Sequence, residues 1–428
     1  MRRRELFRVG AVAVGVRALT LAAYLLASRH TSVLGYAGTL PVGAGESRPE
    51  RLREIEGDLL ERLAPYDGQF YLDIARRGYR RYEEWPWGNY AFLPLYPAAL
   101  VALGGAGRGS VLMAVGLQVL LAGCAAAALW ALAKRVGAPA WGAVTLYLAW
   151  PTSAFQVVAY PESLFLVLSL GATLFRLEGH ERAAAAAGFL AGLTRTQGVL
   201  VGFLLLPRSL WGSRVGGGRC RREGTLSAER SGTESLLGRM RPRLPSVCPR
   251  LPGVRSWLRS FARKAATAGS RRIRPSDAAP LAPVFGYLGY LFLVAFAVGS
   301  PGGAFEIQRN WGRAVGPGGV FRAVGEILRC EGFRPDLVAA ALGLGLLPVF
   351  FRRLPLPLAL YGAGSVLLPL ATGTTTSMGR FLSVAFPVYL ALADVFRGRP
   401  RALGAVVLFL AALQVWFLRR LAAWEFVG

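Results

Sequence analysis

Long apolar runs constrain the fold of this chain more than any other feature of its sequence. Eight of them occupy residues 9–28, 111–133, 183–206, 281–298, 337–351, 354–371, 381–395 and 402–418. A helix needs about 20 predominantly apolar residues to cross the hydrocarbon core of a bilayer. Charged residues make up only 17% of the chain, against about 25% in soluble proteins. The sequence therefore predicts an all-α, polytopic membrane protein.

The first apolar run follows three arginines, which is also how a secretory signal peptide begins. This run is longer than the apolar core of a signal peptide, it contains Arg17, and many further runs follow it. We therefore expect a first transmembrane helix that stays in the protein.

The net charge of +26 first suggests a nucleic-acid partner. The basic residues, however, concentrate where the predicted helices end, at 2–4, 134–135, 352–353 and 397–401. This distribution is typical of cytoplasmic loops in membrane proteins. We expect contact with membrane lipids and none with nucleic acid.

Composition divides the chain into three parts. Residues 1–207 form a predicted N-terminal transmembrane module, whose long loop at 29–91 is expected on the outer face. Residues 208–276 are rich in Arg, Gly and Ser with few acids, which predicts a disordered cytoplasmic insertion beside anionic headgroups. Residues 277–428 form a predicted C-terminal transmembrane module.

The run at 183–206 sets a problem of topology. If this run crossed the membrane as a single span, the arginine-rich insertion at 208–276 would lie on the outer face of the membrane. The polar stretch 194–198, with sequence TRTQG, interrupts it, and irregular backbone at membrane depth is tolerated where it lines a protein cavity. We therefore predict a broken hairpin that returns inward. In this topology Asp67, Glu162, Gln308 and Arg380 converge on the outer face.

Histidine and cysteine chemistry is poorly represented. His30 and His180 are isolated, and the four cysteines lack metal-ligand or CxxC spacing. We expect no metal and no cofactor.

Asp67, between Tyr66 and Phe70, is suited to act as a general base beside an apolar cavity. The alternative is an acid that caps a juxtamembrane helix.

Two further acids have structural alternatives. Asp73 is expected to face away from Asp67 and to pair with Arg76 or Arg77. Glu162 follows a proline at a predicted helix start, where it would also stabilise the first turn.

Three arginines lie in or beside apolar runs, namely Arg17, Arg195 and Arg380. An arginine in the hydrocarbon costs about 2.5–3.5 kcal/mol on insertion scales and usually faces a cavity and a partner. A phosphate is the obvious partner, and snorkelling to a headgroup is the alternative, strongest for Arg380. One carboxylate with arginines fits group transfer from a phosphate-linked donor better than hydrolysis by a metal or a serine triad.

Ordered motifs along most of the chain resemble those of the PIG-V-type mannosyltransferases, relatives of the second mannosyltransferase of GPI-anchor synthesis. They read YDGQFY at 66–71, AFLPLYP at 91–97, YPESLF at 160–165, LTRTQG at 193–198, AF at 304–305 with Gln308 and Trp311, and GRF at 379–381. The resemblance skips 208–274, and Tyr66 stands where that family usually has tryptophan.

The resemblance implies a GT-C glycosyltransferase in the cell membrane, with its active site on the extracytoplasmic face. The donor would be polyprenyl-phosphate-linked mannose, the reaction inverting, and Asp67 the base. Arg195 and Arg380 would stabilise the leaving phosphate, and Glu162 and Gln308 would bind sugar hydroxyls or orient the base. Tyr66 and Trp311 would offer aromatic faces. The acceptor would be a glycolipid, a glycan or a protein.

Two alternatives stay open. The same scaffold could transfer another lipid-linked sugar, such as arabinose or glucose. The chain could instead be a lipid or sugar transporter or a flippase, with its arginines along a substrate path. Transporters commonly have internal repeats, and the sequence shows no such repeat.

Overall fold

The computed structural model describes residues 3–32, 58–82, 88–104, 109–212, 278–300, 302–332, 334–425 and 427. All of them belong to one compact unit formed by residues 1–216 and 276–428. Most of the predicted insertion at 208–276, and much of the predicted loop at 29–91, lie outside the described residues. Within the described part helices are the only regular secondary structure, and the only β pairing is an isolated bridge between Arg81 and Gly88.

The described residues form sixteen α-helices. The first eight are α1 (Arg3–Arg29), α2 (Asp67–Arg77), α3 (Leu95–Gly104), α4 (Gly109–Val136), α5 (Ala140–Ala149), α6 (Glu162–Glu178), α7 (Glu181–Gly192) and α8 (Val201–Leu204). The other eight are α9 (Ala282–Val298), α10 (Gly303–Asn310), α11 (Gly319–Arg329), α12 (Arg334–Arg353), α13 (Leu356–Leu370), α14 (Met378–Ser383), α15 (Pro387–Val395) and α16 (Pro400–Ala422). Short 3-10 helices cover Glu61–Leu63, Pro151–Val157, Thr196–Leu200, Arg208–Trp211 and Ala279–Leu281.

Five of these helical segments are long and apolar enough to cross a membrane: α1, α4, Ala279–Val298, α12 and α16. Pro151–Val157 and α6 form a sixth if this pair, bent by 101°, counts as one span. The prediction of an all-α, multi-pass membrane protein is confirmed. The apolar run at 381–395 is not one continuous helix, because Pro387 begins a new helix after α14. Proline likewise separates α5 from the helical turns that follow it, at Pro151.

The core has two hydrophobic clusters, one toward each end of the helix bundle. The larger includes the C-terminal half of α4, most of α5 and α6, and parts of α12 to α15. The smaller joins α2, α3, the N-terminal half of α4 and the end of α16. Helix α4 contributes to both clusters and packs against α1 and α6, so it connects the two ends.

The interrupted run at 183–206 folds into the predicted hairpin. Helix α7 ends at Gly192, and the chain turns back through the 3-10 helix Thr196–Leu200. A Cβ atom at Gly198 would overlap the Ala191 carbonyl, so this close return requires glycine. Arg176 Nε donates to the Leu206 carbonyl at 3.2 Å, which brings the chain back to the level where α7 begins.

One end of the bundle is strongly basic. There Arg135 pairs with Glu178, Arg353 Nη1 donates to Asp394 at 2.8 Å, and Arg397 Nη2 donates to the Gly137 carbonyl at 2.6 Å. These contacts bring together the ends of α4, α6, α12 and α15. Basic residues at the helix ends joined by these contacts include Lys134, Arg135, Arg176, Arg182, Arg208, Arg352, Arg353, Arg397, Arg399 and Arg401.

Arg17 lies fully buried in the middle of α1. It donates to the carbonyls of Leu148 at 3.1 Å and Tyr147 at 3.2 Å, in the last turn of α5. The last carbonyls of a helix lack intrahelical partners and carry partial negative charge, which a cation stabilises. The phosphate or headgroup partner considered for Arg17 is therefore wrong, since this arginine caps a helix.

We predict that Arg17→Leu destabilises the protein. It removes the guanidinium donor from two buried carbonyls, which keep weaker bonds from Gln414 Nε2 at 3.3 Å and from the Trp150 N–H at 3.4 Å. A hydrogen bond to a charged group contributes about 1.5–3 kcal/mol. Thermal unfolding of the purified protein in detergent should show a melting temperature lower by several degrees. Arg8→Leu, at an exposed position of the same helix, should shift it little. Unchanged stability of Arg17→Leu would mean that relief from burying the charge compensates for the lost cap.

Candidate active site

A cavity of about 480 Å³ lies at the end of the bundle opposite the basic one. Five of the residues predicted for the site line it, namely Asp67, Arg195, Gln308, Trp311 and Arg380. They come from α2, the hairpin turn, the region of α10 and α14. Segments far apart in the sequence thus meet in one place. Tyr66 and Glu162 do not line the cavity.

Four charged side chains form a continuous chain at the cavity wall. Arg380 uses Nη1 to pair with Asp67 Oδ2, and its Nε donates to Glu162 Oε1 at 2.6 Å. Arg195 Nη1 pairs with the same Glu162 oxygen. Arg380 and Arg195 therefore share the Glu162 carboxylate. Arg380 also binds the Asp67 carboxylate, which lies at the cavity.

Tyr160 connects the backbone of α2 to this cluster. Its hydroxyl oxygen accepts a hydrogen bond from the Asp67 backbone N–H at 3.1 Å. The guanidinium of Arg380 lies 4.5 Å from the centre of the Tyr160 ring and 5.3 Å from that of Phe155, a distance at which a cation is attracted to the ring face. The YPE motif thus supplies both a surface for Arg380 and its anionic partner.

The two carboxylates differ in exposure. The side chain of Asp67 is 31% exposed, whereas that of Glu162 is completely buried. Only Asp67 is therefore accessible to a ligand in the cavity. Glu162 balances charge behind the wall, so its expected role in binding sugar hydroxyls does not fit its position.

The cavity wall carries more positive than negative charge. Its charged lining residues are the acid Asp67 and the arginines Arg195, Arg309, Arg313 and Arg380. Beside them, burial raises the pKa of the Tyr71 phenol above its ordinary value, although the Arg380 and Arg195 charges act to lower it. Tyr71 is accordingly neutral, and the excess of cations favours an anionic ligand.

Tyr66 is directed away from the cavity. Its hydroxyl donates to the Glu425 carbonyl, and its ring packs against Trp424 with 6.1 Å between ring centres. Its backbone has φ of 45°, which is uncommon for a residue with a side chain. The expected sugar-stacking role of Tyr66 does not fit this placement, because the ring fixes the start of α2 to the C-terminal segment.

Gln308 and Trp311 are half-buried and line the cavity. The Trp311 ring lies 5.8 Å from that of Phe92, so this aromatic face is held in place. Around them the lining is largely apolar: Ala304, Phe305, Ala314, Val315, Leu368 and Pro369. The site thus combines a polar centre with a lipid-compatible wall.

Gln197 is a lining residue to which the sequence interpretation gave no role. Its Nε2 donates to the Phe381 carbonyl at 3.4 Å, and its buried Oε1 has no hydrogen-bond partner among the described residues. An unsatisfied buried acceptor is costly, and this oxygen lies behind the cavity surface that other atoms of Gln197 line. Its position in the TRTQG interruption was the available signal.

Asp336 is a second residue that the sequence interpretation missed. It is buried in the first turn of α12, and its two oxygens accept the backbone N–H groups of Ser377 at 2.8 Å and Gly379 at 2.9 Å. Ser377 has a left-handed φ of 66° and also accepts a bond from Arg313 at 3.0 Å. Asp336 therefore fixes the loop that carries Arg380. An acid directly before the apolar run at 337–351 was the available signal.

Asp73 does face away from the cavity, but its partners differ from those expected. Its carboxylate accepts bonds from Arg80 at 2.9 Å and from Tyr82 and Asn89 at 2.8 Å each. Arg76 instead lies 3.5 Å from Glu61. Asp73 thus stabilises the chain that follows α2.

The described residues contain no group of three or more His, Cys, Asp and Glu side chains placed to hold a metal ion. Within them, Cys124 and Cys330 are exposed free thiols. Cys220 and Cys248 lie outside the described residues.

Comparison with known proteins gave no relative. No protein-family model, no curated protein and no solved structure matches the chain. A functional assignment must therefore come from the site and from the motifs quoted above.

We predict that Glu162→Gln destabilises the protein strongly. Two nearly buried arginines would lose their shared anion, and breaking a buried pair costs about 3–5 kcal/mol. The folded fraction and melting temperature in detergent should both fall. Adding Arg195→Gln should restore part of the loss, because it removes one unpaired charge. Glu178→Gln, in an exposed pair with Arg135, should cost at most about 1 kcal/mol, and an equal effect of the two single variants would contradict the prediction.

We predict that Asp336→Asn loosens the loop before Arg380 without unfolding the protein. The amide NH2 group of Asn would replace a carboxylate oxygen opposite a backbone N–H. Hydrogen exchange followed by mass spectrometry should show faster exchange in peptides covering 374–380. Asp394→Asn, at the basic end, should leave those peptides unchanged. Unchanged exchange in Asp336→Asn would show that this carboxylate does not hold the loop.

Proposed function

We propose that this chain is an integral-membrane glycosyltransferase of the GT-C type that transfers a mannosyl residue from a polyprenyl-phosphate donor to an acceptor hydroxyl. The observation that best supports this proposal is the contact between the accessible Asp67 and Arg380 within a cavity that also has an apolar wall. This arrangement offers a base, a phosphate-binding cation and space for a lipid-linked substrate together.

The proposed reaction is a single displacement with inversion. The acceptor oxygen forms a bond to C1 of the sugar as its proton passes to the Asp67 carboxylate. The bond between C1 and the phosphate oxygen breaks, and the polyprenyl phosphate leaves with the bonding electrons. Arg380 and Arg195 stabilise the negative charge that develops on this phosphate, an effect that is large where water is excluded.

The remaining lining residues would bind the sugar. Gln308 would hydrogen-bond sugar hydroxyl groups from the cavity wall, and Trp311 offers an aromatic face. In this proposal Glu162 keeps both arginines in position, and Tyr66 supports the start of α2.

The basic end of the bundle supports an orientation. Lysine and arginine near helix ends favour the cytoplasmic side, and the chain reaches this end at Arg208, just before the arginine-rich residues. The cavity lies at the opposite end. We therefore assign the active site to the extracytoplasmic face of the cell membrane.

The choice of mannose depends on the motifs shared with PIG-V-type mannosyltransferases. The cationic, partly apolar cavity would equally accept another polyprenyl-phosphate sugar. For the acceptor, a glycolipid, a glycan or a protein hydroxyl are all compatible with attack beside Asp67. Product analysis by mass spectrometry, with donors of different sugars, decides both identities.

Transport of a phosphorylated lipid is the second candidate, and the broken helices favour it. The bend of 101° before α6 and the hairpin after α7 place irregular backbone beside a polar site, as in many transporters. A flippase would move the donor across the bilayer with its bond from sugar to phosphate intact. Release of free polyprenyl phosphate therefore separates the two functions.

We predict that Asp67→Asn abolishes transfer, because general bases contribute about 10²–10⁴-fold to rates. Membranes containing the full chain would be given polyprenyl-phosphate mannose and acceptor extract, and released polyprenyl phosphate and mannosylated products measured. Glu306→Gln, which removes an exposed acid of α10 outside the cavity wall, should retain activity. Wild-type turnover in Asp67→Asn, at equal expression, would remove Asp67 from the mechanism.

A further inference from the structure

We infer that the Asp67–Arg380 ion pair is opened by the ligand: a phosphate group entering the cavity replaces Asp67 as the partner of Arg380 and so releases the carboxylate. This inference rests on the proposed function for the role of the released base. The binding step itself depends only on the geometry of the cavity.

The two anionic partners of Arg380 are held very differently. Glu162 is completely buried and accepts from Nε at 2.6 Å, and Arg195 holds the same oxygen. Replacing Glu162 would leave a buried carboxylate uncompensated, which is costly. Asp67 is partly exposed and meets Nη1 at the cavity surface. An incoming anion would therefore displace Asp67 and leave Glu162 in place.

The guanidinium itself does not need to move during this exchange. Glu162 fixes Nε, and the Tyr160 ring lies beneath the guanidinium at 4.5 Å. The side of the Arg380 guanidinium that faces the cavity is then left to bind one anion at a time. A phosphate oxygen makes charge-assisted hydrogen bonds with arginine at least as well as a carboxylate does. Asp67 and phosphate thus compete for one position.

The charges of the cavity favour the phosphate in this competition. Arg195, Arg309 and Arg313 also line the wall, so an anion at Arg380 is attracted by several cations. Asp67 would remain near the same cations after displacement, with only the rotation of a short side chain. Its backbone stays fixed, since its N–H is bonded to Tyr160.

Displacement would order the catalytic cycle. While Asp67 is paired with Arg380, its Oδ2 atom is occupied by that guanidinium and is closed to an acceptor hydroxyl. Once phosphate occupies Arg380, the carboxylate is available to an acceptor hydroxyl. The base would therefore become competent only when a phosphate-linked donor is present, which limits unproductive chemistry in the empty site.

Binding of undecaprenyl phosphate, without sugar or acceptor, tests the competition directly. Affinity would be measured by isothermal titration on the purified full chain in lipid nanodiscs, with inorganic phosphate as a separate ligand to distinguish the headgroup from the lipid. Asp67→Asn removes the competing charge and should bind undecaprenyl phosphate about tenfold more tightly, equivalent to about 1.4 kcal/mol. Asp67→Glu, which keeps the charge, should bind like the wild type.

Two controls separate local competition from general electrostatics. Glu306→Gln removes the same charge from a nearby exposed position and should change affinity less than twofold. In an Arg380→Gln background the gain from Asp67→Asn should disappear, as expected if the two residues are coupled. If Asp67→Asn is poorly folded, Asp67→Ser replaces it.

Unchanged or weaker binding in Asp67→Asn would overturn the inference, as would a gain that persists without Arg380 or that Glu306→Gln reproduces. No saturable binding of either ligand to the wild type would also overturn it. None of these results decides whether transfer occurs, because no sugar is present in the experiment. The transfer assay with Asp67→Asn tests the proposed function independently.

Discussion

The site depends on one interaction, the sharing of a single Glu162 oxygen by Arg380 and Arg195. Isolated charges are expensive to bury, and neither arginine would remain buried without this anion. The shared carboxylate lies at the start of α6, where the bend after Pro151–Val157 directs it behind the cavity wall. From there it holds Arg380, and Arg380 in turn holds Asp67. The bend between Pro151–Val157 and α6 therefore determines where Glu162, Arg380 and Asp67 lie.

The same principle explains other irregular segments of the bundle. Arg195 follows the end of α7, and Arg380 lies in a short helix fixed by Asp336. Each arginine is presented by backbone that is not part of a long span, where a polar side chain reaches partners across the bundle. Arg17 differs from both, because it lies within a long helix and its guanidinium donates to backbone carbonyls at the end of α5. Burial of arginine alone therefore does not identify a site.

Much of the fold and part of the site were predictable from sequence, because the cost of polar groups among apolar residues is a local signal. Five of the eight apolar runs correspond to candidate spans, and polar residues within or beside such runs marked the hairpin at 194–198, Arg195 and Arg380. Partners were not predictable, because Arg380 meets Glu162 and Asp67 across 218 and 313 residues. The placement of Tyr66 was not predictable, since the position of its motif gave no indication that the ring packs on Trp424. Asp336 escaped notice because an acid in a first turn also resembles a simple helix-stabilising residue.

Neutrality and reactivity impose opposite demands on such a site. The four linked side chains sum to zero charge, which makes their burial tolerable, yet a fully satisfied cluster offers no reactive group. Unequal exposure resolves the conflict, because Glu162 is sealed while Asp67 lies at the cavity surface. Only the bond at the surface exchanges at low cost, so a ligand can alter the cluster without exposing its buried part. The arginines that line the rest of the wall make an anion the ligand best suited to do so.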